Sequence, residues 1–229
     1  MRLTKLKRIA VAGLLAGPAY TCTAAPSGEV TITSDSSIEF AAVVSAEAFR
    51  NGGEMSGYHF IVWDGGGSAD HALLLAQVSD VQVLDALESL GAQPGNALQV
   101  DSWDDRNDPD AEAPRKVIAG PSVRVEVLVP GRSEALGLEQ LLVDSGDRGF
   151  DMRLGGHRDN ISQWHSGCVV CLYSCPGSKV GNATYTVADF VQGATHFEVR
   201  PGVLPADGTQ VMVRLSLVDR GLLIQEGDA

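Results

Sequence analysis

HALLLAQVSDVQVLDALESLGAQPGN, residues 71–96, is the stretch on which the fold reading turns. Its first part, His71 to Gln77, is a short apolar run of strand length. Ser79 and Asp80 then supply helix-capping side chains, and Val81, Leu84, Leu87, Glu88 and Leu90 follow at helical spacing. Gly91 closes the helix ahead of Pro94 and Gly95. A helix with one apolar face has to lay it on something, and the flanking sequence offers strands. The expected fold class is therefore α+β: a mostly antiparallel sheet with one principal helix, about residues 79–91.

Upstream, Ile38 to Ser45 and Tyr58 to Asp64 are rich in Val, Ile and Phe and are separated by Asn51, Gly52, Gly53 and Gly57, which reads as two strands and a turn. Gly65, Gly66, Gly67 and Ser68 turn the chain into the strand at residue 71. They do not make a phosphate-cradling loop, because no helix follows directly and the lysine is missing. Downstream, Val123, Val125, Val127 and Val129 alternate as one face of a half-buried strand. Leu136 to Val143 reads as a short helix. Strands follow near Phe150 to Leu154, Ala183 to Val187, Thr195 to Val199 and Gln210 to Leu217. Between them, Asp101, Asp104, Asp105, Asp108, Asp110 and Glu112 form an acidic loop broken by Pro109 and Pro114. It lacks the ordered ligand alternation of a calcium loop and reads as a solvated insertion.

The chain opens on a basic stub, Arg2, Lys5, Lys7 and Arg8, then the apolar run from Ile9 to Tyr20, then small residues around Ala24 and Ala25. This is the layout of an export signal, too short and too rich in glycine to be a spanning helix. The expected division is residues 1–25 as signal peptide, 26–37 as tether and 38–220 as a single domain in the periplasm or on the outer face of the envelope. Cys22 is a candidate lipidation site that would anchor the protein to the membrane. Cleavage after Ala24 or Ala25 would instead discard it. Without the four basic residues of the signal, 13 basic side chains stand against 29 acidic ones, a net charge of −16. So acidic a chain is not built to neutralise phosphates, which excludes nucleic acid as a partner.

The chemistry concentrates in GGHRDNISQWHSGCVVCLYSCP, residues 155–176. Cys168, Cys171 and Cys175 are the remaining cysteines once Cys22 is set aside, and His165 and His157 lie just before them. Three thiols cannot all pair within one chain, so the odd sulfur calls for an explanation. Cys168, Cys171 and Cys175 with His165 would complete a four-ligand site for zinc or copper(I). An iron-sulfur cluster is a further candidate, since Cys-x-x-Cys-x-x-x-Cys-Pro ends as bacterial ferredoxin runs do, although one cysteine is missing. Thiol redox exchange by Cys168 and Cys171 is another alternative, and a structural or partner-binding module with one local disulfide is the plainest. His59 and His196 read as sheet residues. No Gly-x-Ser-x-Gly elbow and no His-Glu-x-x-His pair marks a hydrolase, and nothing in the sequence assigns an enzymatic reaction.

Two segments resemble a known family. Residues 71–96, with their strand, helix and Leu-Gly-Ala-x-Pro-Gly-Asn turn, are similar to the YdjY-domain proteins, and residues 150–176 are similar to the cysteine-bearing branch of that group, which includes ferredoxin-like envelope lipoproteins. The resemblance implies an α+β envelope domain that binds a metal or a cluster and meets an envelope redox or metal partner. It supplies no reaction.

Overall fold

The computed structural model describes residues 28–33, 36–95 and 98–218. The signal segment and Cys22 lie outside the described residues. In chain order the elements are β1 (Thr31–Ile32), β2 (Ser37–Val44), α1 (Ala46–Asn51), β3 (His59–Trp63), β4 (Ala72–Ala76), α2 (Asp80–Ser89), α3 (Asp101–Asp104), β5 (Val123–Leu128), β6 (Leu136–Gly137), α4 (Leu138–Leu141), β7 (Leu142–Asp144), β8 (Met152–Leu154), α5 (Arg158–Trp164), β9 (Cys168–Cys171), β10 (Val180–Asn182), α6 (Val187–Val191), β11 (Phe197–Val199) and β12 (Gln210–Leu217).

One ten-stranded sheet dominates, in the order β6-β5-β12-β2-β4-β3-β9-β10-β8 with β1 alongside β2, and β11 and β7 form a separate pair. One half of the large sheet, β5-β12-β2, is antiparallel and buries alternate residues: Val123, Val125 and Val127 on β5, Val211, Val213 and Leu215 on β12, Ile38, Phe40 and Ala42 on β2. That is the period-two pattern of strands with one face on the core. In the other half every residue of β9 and β10, and His59 to Val62 of β3, is buried. These strands are covered on both faces, which suits the parallel pairs found there, β3 with β4 and β9 with β10.

These parallel pairs correct the expected fold class. The sheet is mixed rather than mostly antiparallel, and no single helix is principal. The helix at residues 80–89 forms, held by a capping box in which Ser79 Oγ accepts from Gln82 N at 3.2 Å and Gln82 Oε1 accepts from Ser79 N at 2.9 Å. It is nevertheless one short helix beside five other α-helices. The reason for the discrepancy is physical. A link as short as residues 64–71 ordinarily joins antiparallel neighbours, since parallel neighbours usually need a crossover of about a dozen residues or more. Here 64–71 carries the chain back along β3 to start β4 in parallel, and 172–179 does the same between β9 and β10. Two smaller differences are local. Leu136 to Val143 divides into β6, the single turn α4 and β7, and the strand expected at 183–187 is the lead-in to α6, whose cap is Thr186 Oγ1 accepting from Asp189 N at 3.1 Å.

Candidate metal centre

Both short crossovers lie over the same part of the sheet, and the thiols sit beneath them. β9 pairs antiparallel with β3 so that His59 stands opposite Cys171 and Val62 opposite Cys168, with an irregular register between them. Bulges of this kind re-aim side chains next to sites. Ligand atoms of His59, Cys168 and Cys171 all lie within 4.8 Å of one another, and all three residues are buried. Cys168, Cys171 and Cys175 are free thiols. Cys175 is borne by the 172–179 crossover rather than by a strand, and it adjoins Cys171 from outside the triplet. His165, which the sequence singles out as a ligand, is exposed at the end of α5 with a left-handed backbone (φ +50°), outside the triplet. His59 takes the imidazole position instead. Its sequence signal was a titratable residue inside an apolar strand, and only the pairing with β9 distinguishes it from an ordinary sheet histidine.

The electrostatics are those of a shared-proton network. Hydrogen bonding from Cys171 pulls the Cys168 thiol well below the ordinary range against the opposing effect of burial, helped by His59 and by the charge of Lys179. Burial, together with the two neighbouring sulfurs, pushes Cys171 far up, so it keeps its proton. Its Sγ donates to Tyr58 O at 3.6 Å. Cys175 is lowered, chiefly by the Cys171 hydrogen bond. For His59 burial opposes the imidazolium, but the Cys168 partner outweighs it and the pKa rises. The shifts thus oppose one another across the cluster: Cys168 and Cys175 are eased toward the thiolate, Cys171 is held away from it, and His59 is eased toward the imidazolium.

Lys179 anchors this network. Its ammonium is buried, pairs with Asp80 Oδ2 at 2.8 Å, and donates to Gly177 O at 3.1 Å and Cys168 O at 3.4 Å. Asp80 opens α2, so one buried ion pair ties that helix to the Cys175-bearing crossover. Above the thiols lies a cavity of about 420 Å³ whose lining includes Tyr58, His59, Ser68, Trp103, Trp164 and Cys175. Tyr58 Oη and His59 Nδ1 are buried without a hydrogen-bond partner among the described residues. His71 Nδ1, Asp101 Oδ1, Ser102 Oγ and His157 Nδ1 share that state, and the Tyr58 hydroxyl also interacts with Cys175. The 64–71 crossover closes against the strand leading into Cys168: Gly67 N donates to His165 O at 2.9 Å and Ser68 N to Ser166 O at 3.0 Å. A Cβ on Gly66 would stand 2.6 Å from the Gly167 Cα, and Gly167 has φ +70°, so both places need glycine.

The donor set fits a thiophilic ion. Sulfur and imidazole ligands bind zinc at about 2.0–2.3 Å, so donors gathered this closely can converge on one centre. An iron-sulfur cluster interposes several atoms between its cysteine sulfurs and asks for wider spacing. No helix among the described residues is long and apolar enough to cross a membrane.

Comparison with known proteins agrees with the resemblance to the YdjY-domain proteins. The chain is 29% identical over 162 residues to "Uncharacterized protein YdjY" of Escherichia coli (strain K12), covering 70% of this chain and 68% of that protein. No solved structure matches. The YdjY domain matches residues 31–216, from β1 to the end of β12, and the chain therefore belongs to the YdjY domain family.

Proposed function

We propose that this chain is an exported envelope protein that holds a single thiophilic metal ion, zinc or copper(I), on Cys168, Cys171 and His59, with Cys175 in reach, for storage, sensing or electron transfer. The observation that carries this reading is the convergence of three buried soft or borderline donors within 4.8 Å. The orphaned His59 Nδ1 and the anionic character of Cys168 support it, since a metal ligand must give up its proton before it binds. Export rests on the basic stub, apolar run and small residues of 1–25, and anchoring to the membrane rests on Cys22.

The test is elemental analysis of protein purified without oxygen, alongside Cys171→Ser. One equivalent of metal in the first and none in the second is expected. Absence of stoichiometric metal from the native protein, with a mass showing one disulfide, would instead favour the structural module. The same mass measurement reads signal cleavage and any acyl chain on Cys22.

A further inference from the structure

His59, Cys168 and Cys171 stand on adjacent strands of the sheet, while Cys175 stands on a crossover loop and is the sulfur that lines the cavity together with His59. The four donors are therefore not equivalent. Three belong to the rigid, doubly covered part of the sheet. The fourth sits between them and solvent, at the foot of a cavity whose walls include half-buried Trp103 and Trp164, with ring centroids 6.5 Å apart. Tyr58 and His59 line the same space, with Tyr58 Oη and His59 Nδ1 buried behind its surface.

We infer that the cavity is the exchange port of the centre and that Cys175 is its transfer ligand: copper(I) enters past the two tryptophans, is taken first by Cys175, and passes to a three-coordinate resting site on Cys168, Cys171 and His59. This rests on the metal-binding reading and adds to it the ion, the route and the division of labour among the sulfurs. Copper(I) is the cargo this division of labour suits, because two thiolates and an imidazole satisfy a soft ion once Cys175 lets go, whereas zinc would keep Cys175 as its fourth donor. Transfer is ligand substitution without electron flow. The Cys175 sulfur forms a bond to copper as the donor complex loses one of its own. Cys168, Cys171 and the His59 imidazole then replace Cys175, and the protons that Cys171 and the His59 ring carry pass to solvent through the port.

The experiment presents reduced, metal-free protein with copper(I) as its complex with bathocuproine disulfonate and follows transfer in both directions by the absorbance of that chelator. Wild-type protein is expected to bind one copper. Cys175→Ser should still bind one, with uptake and release both slowed about tenfold or more, because the incoming donor is no longer held in place. Ser68→Phe, which fills the port without touching a donor, should slow both directions at unchanged stoichiometry. Cys171→Ser should bind none. Loss of copper from Cys175→Ser as complete as from Cys171→Ser makes Cys175 a resident ligand and overturns the port while leaving the metal centre standing. Wild-type rates in both Cys175→Ser and Ser68→Phe overturn it as well. A wild-type protein that takes up no copper removes the metal reading itself, and the port with it.

Discussion

Two polar knots sit in this molecule and they are built on opposite terms. At Asp144, on β7, the carboxylate accepts from Gly146 N and Arg148 N at 3.0 Å, Gly149 N at 2.9 Å, Tyr185 Oη at 2.8 Å and Thr195 Oγ1. Against its partial burial, the hydroxyl of Thr195, then that of Tyr185 and the backbone donors, hold it below the usual carboxylate range. Every oxygen of that knot is spoken for, and its role is to fasten a turn and the β7-β11 pair to the body. The thiol cluster is the reverse, with sulfurs of opposed proton affinity beside an imidazole, and with Tyr58 Oη and His59 Nδ1 buried without a hydrogen-bond partner next to a cavity. A satisfied polar group holds structure, and an unsatisfied one waits for a partner.

The contrast can be tested by perturbing each knot and reading both stability and thiol chemistry. The largest effect is expected from Lys179→Met, which strands Asp80 in the interior. Breaking one side of a buried ion pair costs about 3–5 kcal/mol, measurable as a shift in the urea midpoint, and here the thiol titration should move as well because Lys179 supports the cluster. Asp144→Ala comes next. It removes a charged acceptor from three amides and two hydroxyls and should cost about 3 kcal/mol while leaving the Cys168 titration where it was. If that titration moves, the two knots are not independent.

His59→Gln should have the smallest effect on stability and a clear effect on titration. It removes the hydrogen bond and positive charge that help keep Cys168 ionised, so the thiolate absorbance should fade at a higher pH than in the wild type. The sign follows from linkage. A thiol whose pKa is depressed on folding stabilises the fold fully above its unfolded value, about 8.5, and loses that contribution as pH falls toward the folded value. In His59→Gln that acid-side loss should begin at the same pH, be complete at a higher one and be smaller in total. A Cys168 titration unchanged by the substitution would show that His59 does not help set it and that Cys171 and Lys179 do.

What could be read from the sequence was whatever depends on near neighbours. The Ser79 cap, the helix-closing Gly91 and the alternation of Val123, Val125 and Val127 are local, and the structure has all of them. The cysteine spacing drew attention to residues 168–175, where the structure gathers Cys168, Cys171 and Cys175. What could not be read depends on partners far along the chain. His59 becomes a candidate ligand only because β3 lies beside β9, and no pattern around residue 59 announces that pairing. The parallel crossovers were hidden for a related reason: Gly65 to Ser68 has the composition of a tight reversal, and the register of β3 against β4 makes it a return path instead. His165 had the nearer sequence position, but α5 ends on it and turns it outward.

The contact between Gly66 and Gly167 has one more consequence. The part of the cavity wall that Gly67 and Ser68 supply is backed by main chain meeting main chain at Gly66 and Gly167, in a place where not even a methyl group can be inserted. Rim side chains such as Ser68, Gln163 and Trp164 can then be exchanged in related chains to choose which visitor is admitted, while the width of the doorway stays as the backbone sets it.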